Sequence, residues 1–244
     1  MALISDLHGN EVALRAVLED ARGLAVDRVV CLGDCFTLGP RPLQVADMLQ
    51  ELGCLCILGN HDEFMLDEAL IHTYSEAPVI VAAVDACRAE MRQSDFEFIR
   101  GFRRTHRFSA ASGAEVLLYH GTTRSNMEDL LPTTAADDVD AMLGFGDERQ
   151  RPAIAAGGHT HIQMARQHRG TLVVNPGSVG LPFLEHAAGG PPTVLGHAEY
   201  AVVDITQTGT GATLRRLPLE PAALKAQLQG WDNPLSGMLA AMWS

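Results

Sequence analysis

The chain has 244 residues, 47% hydrophobic and 20% charged, with a formal net charge of −12. Such a composition suits one large globular domain with a sizeable core, and the acidic balance argues against a nucleic-acid partner, whose backbone asks for a basic face. No apolar run reaches the roughly 18–20 residues that cross a bilayer. With no leader-like pattern ahead of the opening MALISD, the expectation is a cytoplasmic protein with no membrane contact.

The first sixty residues alternate between two periodicities. ALIS reads as a strand, and EVALRAVLEDAR (11–22) as a helix with Val12, Ala16, Leu18 and Ala21 among its apolar positions, stopped by Gly23. RVVCL is a second strand, LQVADMLQEL a second helix closed by Gly53, and CLCIL a third strand. Short connections between them imply right-handed βαβ crossovers and a parallel sheet. Residues 66–112 then read as a helical insertion, carrying APVIVAAVDACRAEMRQ and SDFEFIRGF, the latter with Ser94 as N-cap.

Strand patterns return at 115–119, 153–156, 171–174, 200–205 and 212–217, with a helix at ADDVDAML between them. The stretch 185–198, with AAGGPP, reads as a surface excursion inside a single domain spanning 1–244. Residues 218–244 form a C-terminal extension. Its apolar PLSGMLAAMWS needs cover from its own domain or from a second copy, which makes a homo-oligomer a candidate. The five cysteines (31, 35, 54, 56, 87) lack a compact disulfide pattern and read as buried thiols of a reducing compartment.

What closes each apolar run carries the chemistry. ALIS ends in Asp6-Leu7-His8, VVCL in Gly33-Asp34, CLCIL in Gly59-Asn60-His61-Asp62, EVLLY in His120-Gly121, and AIAA in Gly157-Gly158-His159-Thr160-His161. Five of the ten histidines sit at these endings, and in open α/β sheets the carboxyl ends of the strands line a common crevice. Read as a continuation of the AIAA strand, His159 and His161 are two residues apart and share a face. Imidazole with carboxylate suits Mn, Fe, Zn, Ni or Co better than calcium. Seven or eight such ligands exceed the needs of one ion and match two ions that share a carboxylate.

In order, DLH (6–8), GDCF (33–36), GNHD (59–62), YHG (119–121) and GHTH (158–161) resemble the motif series of the calcineurin-like metallophosphoesterase superfamily. LGPRP (38–42) and NPGSVGLP (175–182) further resemble its small bacterial phosphodiesterase-like members. The resemblance implies an α/β fold, a four-layer αββα sandwich of two mixed sheets flanked by helices. It implies two divalent transition-metal ions, with manganese favoured. One would be held by Asp6, His8, Asp34 and His161, the other by Asp34, Asn60, His120 and His159. It also implies His61 as the histidine that meets the phosphoryl group, oriented by Asp62. The reaction implied is hydrolysis of a small phosphorylated substrate, a phosphodiester or phosphomonoester, by in-line attack of a hydroxide shared by the two ions. Arg41, Thr122 and Arg124 are candidate substrate contacts. The relatives often carry an arginine just after NPGSVG-x-P, where this chain reads Leu181-Pro182-Phe183. Alternatives are a phosphoprotein phosphatase, a dinucleoside polyphosphate hydrolase, or a catalytically silent metal-binding scaffold. A metallo-β-lactamase-type enzyme fits less well, because its H-x-H comes first and here it comes last.

Overall fold

The structure is a computed structural model that describes residues 1–74, 78–146, 151–187 and 190–243. Residues 75–77 at the start of the predicted insertion helix, 188–189 in the predicted excursion and 244 at the end of the tail lie outside the described residues.

The opening βαβαβ reading holds. Strands β1 (Ala2–Ile4), β2 (Val29–Cys31) and β3 (Leu55–Cys56) pair in parallel, and helices α1 (Glu11–Gly23) and α2 (Pro42–Leu52) make the crossovers. A hairpin of β9 (His197–Thr206) and β10 (Gly209–Pro218) adds to the free side of β1, giving the order β10-β9-β1-β2-β3. The second sheet has the order β4-β5-β6-β8-β7. Its centre, β5 (Glu115–Leu118), β6 (Ile154–Ala156) and β8 (Thr171–Asn175), is parallel. Its edges, β4 (His106–Ser109) and β7 (Met164–His168), are antiparallel.

Strand periodicity builds four layers from this. Leu3, Val30 and Leu32 from the first sheet meet Val116, Leu118, Ile154 and Val174 from the second, forming one buried core between the sheets. The alternate residues Ala2, Ile4 and Cys31 face outward onto Ala13, Leu14 and Val17 of α1 and onto Val45 and Leu49 of α2. On the far side, Leu117, Ala155 and Val173 meet Val139 and Leu143 of α7 (Ala136–Leu143). The result is the expected αββα sandwich of two mixed sheets. No described helix is long and apolar enough to cross a membrane.

Several local expectations change. Along α1 the buried stripe is Ala13, Leu14, Val17, Leu18 and Ala21, while Val12 and Ala16 are half-buried; the helix runs through Gly23 and its C-cap is Leu24 in a right-handed conformation. The segment 66–112 holds α4 (Ile71–Tyr74), α5 (Pro78–Glu90) and α6 (Gln93–Arg100), but ends in β4 instead of more helix. Ser94 lies inside α6. Capping falls to the Asp95 carboxylate, which accepts the Arg92 backbone N–H at 2.9 Å and its Nε–H at 2.8 Å. Strand β7 escapes sequence reading because only Met164 and His168 of MARQH are buried. Leu235, Leu239 and Trp243, around the last helix (Ser236–Met242), are buried with Ala83 and Cys87 of α5 and with Leu181. The tail thus finds cover within its own chain.

Candidate metal centre

Five strand endings from the two sheets converge. After β1 come Asp6 and His8, after β2 Asp34, and after β3 the N-terminus of α3 (Asn60–Leu66) with Asn60 and His61. After β5 comes His120, and after β6 come His159 and His161. Asp6, His8, Asp34 and His161 offer ligand atoms that all lie within 4.8 Å of one another. Asp34, His120 and His159 form a second such group, so Asp34 belongs to both. Asn60 joins the second group, with its Oδ1 3.2 Å from His120 Nε2.

The backbone is bent to achieve this. Among the described residues eight non-glycine residues have positive φ, and five of them are Asp6 (54°), His8 (44°), Asp34 (57°), His159 (69°) and His161 (57°). The left-handed region costs an L-residue on the order of 1–2 kcal/mol, and such strain collects at functional sites. The strand reading of GGHTH is therefore corrected: β6 ends at Ala156, and both histidines are aimed by loop backbone, not by the pleat. Two glycines make room. A Cβ on Gly59 would sit 2.1 Å from Asp34 Oδ1, and one on Gly158 1.9 Å from Ser5 Oγ.

Hydrogen bonding fixes which nitrogen each imidazole presents. The Nδ1 atoms of His8, His120 and His161 lie 3.1, 2.6 and 2.6 Å from the carbonyls of Thr37, Leu32 and Leu181, to which an Nδ1–H would donate. That tautomer turns the Nε2 lone pairs inward, the arrangement that orients a metal-binding histidine. His8 Nε2 and His161 Nε2 are 3.1 Å apart, and Asp34 Oδ2 lies 3.3 Å from His120 Nε2 and 3.9 Å from His8 Nε2. Asp6 Oδ1, 3.4 Å from His161 Nε2, and Asn60 Nδ2 are buried without a hydrogen-bond partner. Buried polar atoms are seldom left so. A borderline divalent cation among these nitrogens and oxygens would satisfy them, so the residues fit the metals that the motifs imply.

Charge points the same way. Burial works against ionising Asp6 and Asp34, yet the imidazoles of His161 and His120 hold Asp6, and those of His120 and His61 hold Asp34, below the ordinary carboxylate value. Burial, with His161 and His61 nearby, pushes His8 down to about 3. Burial alone would also lower His120, but Asp34 and Asp6 lift it to about 10, and Asp6 likewise raises His161. The two carboxylates thus draw positive charge toward the place that cations would take.

The remaining predicted residues separate. His61 is buried, and its Nδ1 lies 2.7 Å from Thr37 Oγ1. Asp62 does not supply that contact. As the third residue of α3 its carboxylate turns back to accept the N–H groups of Asp34 (2.8 Å), Cys35 (2.8 Å) and Gly59 (3.0 Å). It anchors the turn that carries Asp34, and burial followed by the Asp34 charge raises it to about 7. Thr37 serves both His8 and His61, and nothing in GDCFT marks it in advance. The expectation that Thr122 and Arg124 line the pocket is not met by their contacts. The Thr122 hydroxyl donates to Glu128 at 2.8 Å, and Arg124 Nε donates to the same carboxylate at 2.9 Å, closing their own loop. Arg41 is the N-cap of α2, with its N–H donating to the Gly9 carbonyl at 2.8 Å. Two further residues were missed. Phe183 stacks on His161 with ring centroids 4.1 Å apart, and Asp129 Oδ1 lies 3.3 Å from His159 Nε2.

Comparison with known proteins gives the family and the fold. Residues 1–207 match the model of the calcineurin-like phosphoesterase superfamily domain. The chain is 27% identical over 199 residues to an uncharacterised protein of Methanocaldococcus jannaschii, covering 75% of this chain and 76% of that one. Among solved structures, a metallophosphoesterase from Sphaerobacter thermophilus superposes with a TM-score of 0.74 at 22% identity, covering 99% of this chain and 97% of that chain. A hypothetical protein from Pyrococcus horikoshii gives 0.77 at 16% identity, covering 98% and 96%.

Proposed function

From the premise that the chain belongs to the calcineurin-like phosphoesterase superfamily, we propose that it is a dinuclear metal-dependent hydrolase of a small phosphodiester or phosphomonoester. The observation that carries this reading is the pair of donor groups sharing Asp34, closed by imidazoles whose Nδ1 atoms are already committed to backbone carbonyls. Asp6, His8, Asp34 and His161 would hold one ion, and Asp34, Asn60, His120 and His159 the other. Bound there, divalent ions would supply Lewis-acid polarisation of a phosphoryl oxygen and a water acidified enough to act as nucleophile.

The chain's own residues do the rest. Asp34 fixes the spacing of the two groups, and the His61 N–H donates to its Oδ1 at 2.8 Å, tying the histidine to the centre. Burial, partly offset by the Asp34 charge, brings His61 down to about 4, so it enters the reaction as neutral imidazole. With the Thr37 hydroxyl donating to Nδ1, the Nε2–H would be offered to a phosphoryl or leaving-group oxygen as charge develops there. Asp62 acts at one remove, by holding the Asp34–Cys35 turn.

The test is hydrolysis of bis-p-nitrophenyl phosphate and p-nitrophenyl phosphate with Mn²⁺, Fe²⁺, Zn²⁺, Ni²⁺ and Co²⁺, with and without chelator. Metal-dependent turnover abolished by chelation is expected. His61→Ala should keep its metal content and lose about 10²–10⁴ in kcat. A fully loaded wild-type protein that turns over nothing in a wider phosphoester panel would favour the silent scaffold, and unchanged turnover in His61→Ala would remove His61 from the reaction.

A further inference from the structure

Four of the five cysteines form a line of thiols leading to the metal centre, and we propose that this line is an oxidation relay ending in a Cys31–Cys35 disulfide beside Asp34. Cys54, just before the third strand, and Cys56 on it bring their sulfurs within 3.8 Å. Across the ladder Cys31 is the register partner of Cys56, which sets the two side chains beside each other on neighbouring strands. Cys31 and Cys35 sulfurs are 3.5 Å apart. All four are free thiols. Cys31, Cys35 and Cys56 are buried, whereas Cys54 is half-buried and lines a cavity of about 480 Å³ with Arg22, Arg28, His106 and Phe108. That cavity opens where β2 and β3 begin, so the line enters at the end of the sheet opposite the metal centre.

The arrangement suits electron-pair transfer along the sulfurs better than a metal site. Its contacts are pairwise and sequential, whereas the donor sets around Asp34 converge on one another. The oxidant proposed is hydrogen peroxide. The Cys54 thiolate attacks one peroxide oxygen, the O–O bond breaks, and the sulfur becomes a sulfenic acid with release of water. The Cys56 sulfur attacks that sulfur, the S–O bond breaks, and a second water leaves with formation of Cys54–Cys56. Cys31 then attacks the Cys56 sulfur and frees Cys54 as a thiol; Cys35 attacks the Cys31 sulfur and frees Cys56. The sum is two thiols and one peroxide to one disulfide and two waters.

The end of the line is mechanically tied to the metal centre. Cys35 follows Asp34, its N–H donates to Asp62, and its carbonyl accepts the Gly9 N–H at 2.9 Å. Closing 3.5 Å to the roughly 2.05 Å of an S–S bond pulls on the turn that holds Asp34 at φ 57°. The loosening of metal retention that follows rests on the metal-centre reading above; the relay itself does not.

The experiment treats the full-length, metal-loaded protein with hydrogen peroxide, quenches in denaturant with N-ethylmaleimide at timed intervals, and maps disulfides by mass spectrometry. Cys87 is the internal control: it is buried and stands outside the line. The expected record is Cys54–Cys56 first and Cys31–Cys35 later, with Cys87 still alkylated in full. Cys54→Ser should slow Cys31–Cys35 formation at least tenfold, and Cys54→Ala repeats the test if serine disturbs the fold. Cys31–Cys35 forming at the wild-type rate without Cys54, or oxidation that stops at Cys54–Cys56, overturns the relay. Oxidised protein that keeps its full metal content overturns the coupling to the metal centre. Reduced protein that binds no divalent ion at all refutes the metal-centre reading instead, and the disulfide map still stands or falls by itself.

Discussion

At the strand ends Asp6 and Asp34 lie among His8, His120 and His161; behind the second sheet Asp140 lies among Arg151, His168 and Arg169. Both clusters set carboxylates against imidazoles in largely buried surroundings. Around Asp140 both carboxylate oxygens are answered by cationic donors. Arg151 Nη1 and Nη2 donate to its two oxygens at 2.6 and 2.8 Å, His168 Nε2 lies at 2.6 Å, and Arg169 pairs with the same carboxylate and, at 2.6 Å, with Asp137. At the strand ends the donors face a shared space, two imidazole Nε2 atoms stand 3.1 Å apart, and Asp6 Oδ1 and Asn60 Nδ2 go unsatisfied. The difference teaches that a His–Asp cluster marks a site when its lone pairs converge and its charge is incomplete. A closed network is architecture.

Asp34→Asn is the harshest way to break that contrast, because Asp34 alone belongs to both donor groups. Loss of an outer partner of a metal ligand already costs roughly 10–100-fold in affinity, and a shared ligand should cost at least that at each ion. Calorimetric titration and elemental analysis should find both ions weakened together. Two tightly held ions in the variant would show that the shared-carboxylate reading is wrong. His120, lifted to about 10 in the metal-free centre, must shed its proton to bind a cation, so ion affinity should rise with pH in the wild type.

Asp140→Asn should leave metal content and turnover untouched and act on stability alone. Removing the anion takes one counter-charge from Arg151 and His168, both nearly buried, at a cost of about 2 kcal/mol, within the range for buried donors that lose an acceptor. For a chain of this size that lowers Tm by roughly 4–8 °C. The pH dependence has a definite sign. The Arg151 hydrogen bonds, then those of His168 and Arg169, hold the Asp140 carboxyl well below its ordinary value. Its contribution is therefore fully present above the unfolded pKa near 3.9 and fades as pH falls through the lower folded one. The gap in Tm between wild type and variant should narrow below about pH 4. A variant that instead loses metal would erase the distinction between the clusters.

Sequence alone went far on the first cluster and little way on the second, for physical reasons. Asp6, His8, Asp34, Asn60, His120, His159 and His161 each follow a readable apolar run, so strand periodicity alone gathers them at the carboxyl ends of strands. Asp140, Arg151 and His168 lie on a helix, a loop and an edge strand. Only the tertiary pairing of β7 with β8 brings them together, and β7 itself carries too little apolar pattern to read. The same limit hid Thr37, Phe183 and Asp129, which meet the site through loops. It also misassigned Asp62: adjacent positions on a helix point apart, so the residue beside His61 in sequence serves Asp34's turn, and a threonine 24 positions away reaches the imidazole. The left-handed φ at His159 and His161 was equally invisible, since periodicity says nothing of where a strand stops.

Asp129 stands between the two kinds of cluster and gives the smallest and most discriminating effect. It lies 3.3 Å from His159 Nε2 and 3.3 Å from His186 Nε2, yet its side chain is 44% exposed. If it orients His159 toward the second ion, Asp129→Asn should weaken that ion about tenfold, the low end for an outer partner, and leave the ion grouped with Asp6 and His8 unchanged. Because the carboxylate is half in solvent, the effect should shrink as salt is raised. Titrating both ions in wild type and variant at low and high ionic strength separates the outcomes. A selective, salt-sensitive loss at the second ion assigns Asp129 to the metal centre. A lowered Tm with both affinities intact assigns it, like Asp140, to the frame.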